Sequence, residues 1–260
     1  MSQNTNSEIE NTTTQRAAVV TGASSGIGAA TVAALTDKGW KVFAFARRED
    51  KPTRVAEAAG AVAVVGDVTV QEDIDRLLKI VTEQGGVDTV INIAGGALGV
   101  DTIGNAKDED WERMYAINVL GTMKVTRAFL PMLREQGEGT VLNMTSMAAL
   151  VSYEGGGGYN AAKSAERAMT HALRLEEAEN NVRVIEVLPG MVYTEEFSLV
   201  RLGSKEAAEN VYQGVEKPLL AEDIADIVSY AVNAPHHVNL DEIVVRPVAQ
   251  AAVHKVIRKN

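Results

Sequence analysis

Short apolar runs alternate with longer helix-like segments along most of this chain of 260 residues. The runs are rich in Val, Ile and Ala and end at glycine or polar residues, as in strands that are buried on both faces. The predicted strands are residues 17–21, 41–46, 61–65, 87–93, 139–144, 182–188 and 242–246. Predicted helices include residues 26–38, 71–84, 110–135, 159–179 and 223–233. This alternation predicts an α/β fold, a doubly wound and mostly parallel seven-stranded sheet with helices on both faces.

The same pattern predicts a single domain over residues 16–250, because no internal repeat or low-complexity linker divides it. We expect the polar residues 1–15 to be a flexible tail and residues 251–260, with their basic side chains, to be a solvated second tail. No apolar run reaches the roughly 18 residues of a membrane span. Because no secretory or transit pattern is visible either, we expect a cytoplasmic protein with no membrane partner.

Charge and cysteine content exclude several function classes. The net charge of −10 argues against a nucleic-acid partner, which favours a basic face. The chain has no cysteine, so it forms no disulfide, Cys-ligated zinc site or thiol nucleophile. The pair His236 and His237 follows Pro235 without zinc-like spacing, and a packing role is the better interpretation. We therefore expect no metal site.

A glycine-rich segment, TGASSGIG at residues 21–28, joins the first predicted strand to the first helix. Glycine permits positive φ and a close approach of backbone to a ligand, and the helix N-terminus that follows favours a pyrophosphate. A tight turn without a ligand is the alternative, but the position after the first strand of an α/β chain favours a dinucleotide site. The candidate contacts are Gly22, Ser24, Ser25, Gly26, Ile27 and Gly28.

The residues at the end of the second predicted strand indicate which dinucleotide the site binds. An acidic residue there binds a ribose 2′-hydroxyl, whereas arginine accepts a 2′-phosphate. The strand ends in Arg47 and Arg48, and no acid occurs before Glu49. The pattern favours NADP(H), although two arginines could also simply solvate a turn.

Tyr159 and Lys163 lie four positions apart at the start of a predicted helix and therefore share one face. Ser146 ends the fifth strand, at the sheet edge where ligands bind. A free phenol, with a pKa of about 10, is a weak acid–base partner near neutrality. An ammonium about 5 Å away lowers this pKa by up to about two units at an effective dielectric of about 20, toward 8. The three residues together predict proton transfer to a carbonyl oxygen that the Ser146 hydroxyl holds.

With these motifs in this order, residues 16–250 resemble the short-chain dehydrogenases/reductases, which have a Rossmann fold. The matching segments are TGASSGIG (21–28), GDV (66–68), NIAGG (92–96), INV (117–119), NMTS (143–146), YNAAK (159–163) and PGMVYT (189–194). One departure is Ile93, where the family usually has a second asparagine. The loss of that side-chain hydrogen bond is expected to weaken the segment without abolishing catalysis.

The resemblance implies a tetrad. Tyr159 would be the acid/base, Ser146 would orient the substrate, Lys163 would lower the phenol pKa and bind ribose, and Asn118 would hold a relay water. It also implies further cofactor contacts at Asp67, Val68, Asn92, Ala94, Gly95, Pro189, Gly190, Val192 and Thr194.

A narrower likeness, in residues 195–203 and 235–250, is to the NADP-dependent 3-hydroxy acid and serine dehydrogenases. It implies a homotetramer and a small 3-hydroxy acid or serine-like substrate. We expect Arg201 to grip the substrate carboxylate. A surface ion pair of Arg201 with Glu195 or Glu196 is the alternative role.

The favoured function is therefore an NADP(H)-dependent oxidoreductase that interconverts an alcohol and a carbonyl by hydride transfer. A reductase of neutral ketones or diketones is the alternative. A catalytically silent nucleotide sensor and a sugar-nucleotide epimerase are less favoured, because the tetrad is intact and the C-terminal part is short.

Overall fold

The chain is built around one sheet of seven parallel strands in the order β3-β2-β1-β4-β5-β6-β9. We describe it from a computed structural model, which covers residues 15–48, 50–194 and 196–259. The strands are β1 (Ala17–Thr21), β2 (Lys41–Ala46), β3 (Val62–Val65), β4 (Thr89–Asn92), β5 (Thr140–Met144), β6 (Arg183–Pro189) and β9 (Glu242–Val245). The strand order reverses between β1 and β4, and ligands of open α/β sheets bind at such a point. The predicted α/β Rossmann fold is confirmed.

Helices cover both faces of this sheet. They are α1 (Gly26–Thr36), α2 (Asp50–Ala59), α3 (Gln71–Glu83), α4 (Asp108–Tyr115), α5 (Thr122–Gln136), α6 (Gly157–Glu177), α7 (Phe197–Leu202), α8 (Lys205–Tyr212) and α9 (Ala221–Asn233). Two small pairings complete the fold, β7 (Val192–Tyr193) with β8 (Leu219–Leu220), and β10 (Gln250–Ala252) with β11 (Lys255–Val256).

Alternate residues of each central strand enter two separate cores. Val19 and Phe43 pack with α3, α5 and α6 on one face. Val20 and Ala44 pack with α1, α2 and α9 on the other. Because both faces are covered, each strand must be apolar throughout, which is why continuous apolar runs predicted the sheet.

The predicted helix 110–135 contains a local irregularity. Residues Ala116–Gly121 between α4 and α5 form a π-helical turn. Such turns are rare and occur frequently at functional sites. This one contains Asn118, a residue of the expected tetrad.

The C-terminal segment is more ordered than a loose tail, although the side chains of Lys255, Arg258 and Lys259 are exposed. The β10–β11 hairpin is followed by backbone hydrogen bonds from Ile257 N to Ala249 O and from Lys259 N to Gly214 O, both 2.8 Å. The Arg258 guanidinium also donates to the carbonyls of Val211 and Gln213. These contacts tie the chain end to α8. The expected N-terminal tail lies outside the described residues apart from Gln15.

Within the described residues, no helix combines the length and the apolar character needed to cross a membrane.

Candidate active site

The glycine-rich loop follows β1 at the carboxyl edge of the sheet. Gly22 has φ of +68°, and a Cβ there would lie 2.8 Å from the backbone nitrogen of Ala94. The loop therefore passes so close to the segment after β4 that only glycine fits. The Thr21 hydroxyl accepts hydrogen bonds from Ile93 N and Ala94 N, at 3.0 and 3.1 Å. Thr21 thus holds the segment that was expected to be weakened by Ile93.

One large cavity of about 700 Å³ extends from this loop across the ends of β2, β4, β5 and β6. Almost all residues expected at the site line it. They are Gly22, Ser24, Ser25, Gly26, Ile27, Gly28, Arg47, Arg48, Asp67, Val68, Ala94, Gly95, Ser146, Tyr159, Lys163, Pro189, Gly190, Val192, Thr194 and Arg201.

Asn92 and Asn118 lie behind the cavity wall. The Asn92 amide donates to Thr126 Oγ1 at 3.1 Å and to Asn143 Oδ1 at 2.9 Å, deep in the sheet. Asn92 therefore supports β4 instead of lining the cavity. The cofactor contact expected of Asn92 stays a prediction, and its side chain is held by Thr126 and Asn143.

Asn118 fixes the loop after β4 from behind. Its amide donates to Gly96 O at 2.9 Å and Met114 O at 2.7 Å, and its Oδ1 accepts from Gly96 N at 3.1 Å. A Cβ on Gly95 would lie 2.6 Å from Asn118 Oδ1 and 3.3 Å from Lys163 Nζ. Asn118 and Lys163 therefore both lie against Gly95 and leave no room for a larger side chain there.

Tyr159, Lys163 and Ser146 converge on the inner part of the cavity. Tyr159 is buried at 8% exposure in the first turn of α6, and its ring packs edge-on against Phe197 with centroids 5.9 Å apart. Lys163 follows one turn later, with its Nζ 6.0 Å from the centroid of the Tyr159 ring. Ser146 caps the short helix Met147–Ala149, and its Oγ accepts from Ala148 N at 3.1 Å. Strand β5 and helix α6 thus bring the three side chains together, as the spacing predicted.

Burial determines the direction of the phenol's pKa. Desolvation raises the pKa of Tyr159 above its usual value, and the opposing effects of the Lys163 ammonium and the Ser146 hydroxyl offset only part of this. The expectation that the lysine brings this pKa toward 8 is therefore wrong in this structure, because it ignored desolvation. Burial acts to lower the pKa of Lys163, but Glu166, together with Tyr159 and Glu186, outweighs it, and this pKa is raised.

The two strand-end arginines have different surroundings. Arg48 donates to Ser24 Oγ at 2.9 Å and to both carboxylate oxygens of Glu196, at 2.9 and 2.7 Å. Ser25 Oγ donates to the same carboxylate at 2.8 Å. Arg47 is more exposed, and its guanidinium lies 4.0 Å from Asp67. Arg48 and the two loop serines therefore form a cluster that already holds a carboxylate.

The other end of the cavity contains Arg201. Its guanidinium donates to Tyr153 Oη at 3.0 Å, Gly99 O at 3.3 Å and Gly155 O at 3.4 Å, and lies 5.9 Å from the Tyr159 ring centroid. In the described part of the chain these acceptors are uncharged, and Glu196 pairs with Arg48 instead. The alternative partner Glu195 lies outside the described residues. The nearby wall is largely apolar and includes Met144, Met147, Met191, Phe197 and Val200.

A possible metal site lies elsewhere, on α6, β6 and β9. Ligand atoms of His171, Glu186 and Glu242 lie within 4.8 Å of one another. The Arg167 guanidinium bonds both carboxylates at 2.8 Å, so a cation already occupies the centre of this group.

Sequence reasoning missed Glu166 and Tyr153, and it considered Glu196 only as a partner of Arg201. Glu166 lies three positions after Lys163, so helical spacing could have identified it. Glu196 reaches Arg48 across 148 residues, and Tyr153 reaches Arg201 across 48. No local pattern indicates those two contacts.

Residues 16–203 match the family model for short chain dehydrogenases. The chain belongs to the short-chain dehydrogenase family. An uncharacterized oxidoreductase of Mycobacterium tuberculosis is 45% identical over 94% of this chain and 95% of its own. The closed form of a serine dehydrogenase complexed with NADP⁺ has a TM-score of 0.88 at 32% identity, over 94% of this chain and all of that one. Actinorhodin polyketide ketoreductase with NADPH has a TM-score of 0.81 at 28% identity, over 89% and 96%.

This short-chain dehydrogenase is an oxidoreductase of a family that binds a nicotinamide cofactor and acts on small molecules. The family assignment accounts for the order of motifs along the chain, and the structure brings most of those motifs to a single cavity.

Proposed function

We propose that the protein is an NADP(H)-dependent carbonyl reductase and alcohol dehydrogenase whose substrate carries a carboxylate, such as a 3-hydroxy acid or a serine-like compound. The observation that carries this proposal is the cavity itself. It is lined by the Arg48 cluster, which binds an oxyanion, and by the neighbouring Tyr159 phenol and Arg201 guanidinium.

The glycine-rich loop and the Arg48 cluster fit the cofactor. The loop residues Gly22 and 24–28 line the cavity at the N-terminus of α1, where the backbone N–H groups of a helix favour a pyrophosphate. Arg48 with Ser24 and Ser25 already binds a carboxylate, and the same donors suit a 2′-phosphate. Arg47 and Asp67 would lie beside the adenosine. This donor set supports NADP(H) over NAD(H).

The chain's residues divide the acid–base work. A bound nicotinamide supplies or accepts the hydride. Ser146 holds the substrate oxygen, and the Tyr159 phenol gives its proton to that oxygen during reduction, or takes it during oxidation. Lys163 lies behind the phenol, with its Nζ donating to Met144 O at 2.9 Å, and stabilises the phenolate.

Arg201 supports the substrate class. A half-buried guanidinium whose acceptors in the described part of the chain are all neutral oxygens can bind a carboxylate through two parallel hydrogen bonds, which fixes orientation as well as affinity. The guanidinium lies 5.9 Å from the Tyr159 ring centroid, so both groups line the same part of the cavity. The serine dehydrogenases among the similar structures agree with this class.

Reduction of neutral ketones or diketones is the second candidate, because one observation favours it. Methionine and other apolar side chains form much of the wall near Tyr159. A polyketide ketoreductase is also among the similar structures. The homotetramer and the cytoplasmic location stay predictions.

The test is NADPH oxidation by the purified protein with matched pairs of carbonyls, for example a semialdehyde acid and its methyl ester. We expect kcat/KM to be at least tenfold higher for the free acid. A preference for the ester would replace the hydroxy-acid proposal with the neutral ketone. No turnover of any carbonyl would contradict both.

A further inference from the structure

A buried carboxylate lies behind the lysine of the active site. The Glu166 side chain is 1% exposed, and its Oε2 lies 2.7 Å from Lys163 Nζ, whose side chain is 5% exposed. Its other oxygen accepts a hydrogen bond from Thr122 Oγ1 at 3.3 Å. Glu166 does not line the cavity, so it contacts neither substrate nor cofactor there.

Several elements place charged or titratable groups around the Tyr159 phenol. Helix α6 contributes Lys163 and Glu166, and the loops before α6 contribute Ser146 and Tyr153. Helix α7 contributes the Arg201 guanidinium. Strand β6 contributes Glu186, which is paired with Arg167 and acts on Lys163 and Glu166.

Within this set, Lys163 and Glu166 form a contact pair of opposite charge. A single buried ammonium next to a phenol would strongly favour the phenolate. A carboxylate in contact with that ammonium opposes part of its field at the phenol. The Lys163 side chain meanwhile stays in place, held by Met144 O and Glu166.

We propose that Glu166 is a positioning residue that balances the charge of Lys163 and keeps Tyr159 protonated, ready to donate its proton, through the neutral pH range. This inference rests on the acid–base role proposed for Tyr159. If Glu166 has this role, the rate of carbonyl reduction stays at its maximum until the pH reaches the pKa of Tyr159. The rate of alcohol oxidation rises with pH up to that same pKa.

A purely structural role explains the position less well. Burying two charges costs desolvation energy that an apolar pair would avoid.

Helix α6 contains a second buried carboxylate, Glu177, but its partner Arg134 is 46% exposed and the pair lies at the far end of the helix. Glu177 therefore provides a matched control, a buried acid of the same helix remote from Tyr159.

The test titrates Tyr159 directly, by NMR of protein labelled at tyrosine Cζ, with its resonance assigned by comparison with Tyr159→Phe. We expect Glu166→Gln to lower the pKa of Tyr159 by roughly one unit, because the field of Lys163 is no longer balanced. In Glu166→Asp, which keeps the negative charge, the pKa of Tyr159 should lie within a few tenths of a unit of the parent value. Glu177→Gln should leave it unchanged.

The proposal would be overturned if Tyr159 had the same titration curve in the parent and Glu166→Gln proteins. It would also be overturned if Tyr159 stayed protonated in both proteins up to pH 11. An equal shift in Glu177→Gln would overturn it too, since it would indicate a general loosening of α6. If Glu166→Gln does not fold, Glu166→Leu takes its place with the same expected shift. Because the readout needs no substrate, it is independent of whether any carbonyl is turned over.

Discussion

The carboxylate of Glu196 occupies the donors that we assign to the 2′-phosphate of NADPH. It accepts hydrogen bonds from Arg48 and from Ser25. If the phosphate uses the same donors, Glu196 must leave before it binds. Glu196→Gln should therefore tighten NADPH binding while leaving NADH, which has no 2′-phosphate, nearly unchanged.

The size of this effect follows from the exposure of the pair. The side chains of Arg48 and Glu196 are 42% and 26% exposed, so solvent screens their attraction. A partly exposed ion pair of this kind contributes about 1 kcal/mol or less. Removing that competition strengthens NADPH binding up to about fivefold at 25 °C.

The assay is the fluorescence of NADPH and NADH on titration with protein, for the parent and for Glu196→Gln. Glu206→Gln, on the exposed side of α8, is a control for the loss of one negative charge. An unchanged Kd for NADPH would refute the competition. An equal decrease in the Kd values of NADPH and NADH would show that the effect comes from the change in net charge and not from the 2′-phosphate.

Two further predictions concern the ends of the cavity. Arg48→Ala should reduce the preference for NADPH over NADH at least tenfold in kcat/KM, because it removes a charge-assisted contact. Arg47→Ala should reduce this preference less, because Arg47 is more exposed. Equal losses in the two variants would contradict this assignment. Arg201→Ala should raise KM for carboxylate substrates about tenfold or more and leave neutral ketones little changed. Steady-state kinetics with both substrate classes checks this, and a similar loss for both would show that Arg201 only supports the fold.

The sheet and the loop after β1 could be predicted because their signals are local. A strand buried on both faces requires apolar residues throughout, and the first turn requires glycine at position 22. The placement of Tyr159 and Lys163 in one cavity could be predicted because helical spacing brings them to one face.

The remaining features depend on contacts that no local pattern encodes. The C-terminal hairpin is short, and the position of the segment depends on the backbone bond from Lys259 N to Gly214 O and on the Arg258 side chain, which donates to Gln213 O. The inward direction of Asn92 depends on its partners in β5 and α5. The net direction of the Tyr159 pKa depends on burial, which spacing alone does not measure.

Tyrosine 159 is the centre of the proposed chemistry, and removing only its hydroxyl tests that proposal most directly. Tyr159→Phe keeps the ring that packs on Phe197, so NADPH fluorescence should report nearly unchanged binding. NADPH oxidation with the best carbonyl substrate of the parent should fall by at least about a hundredfold, as expected for loss of a general acid. Near-parent turnover in this variant, with NADPH still bound, would contradict the account.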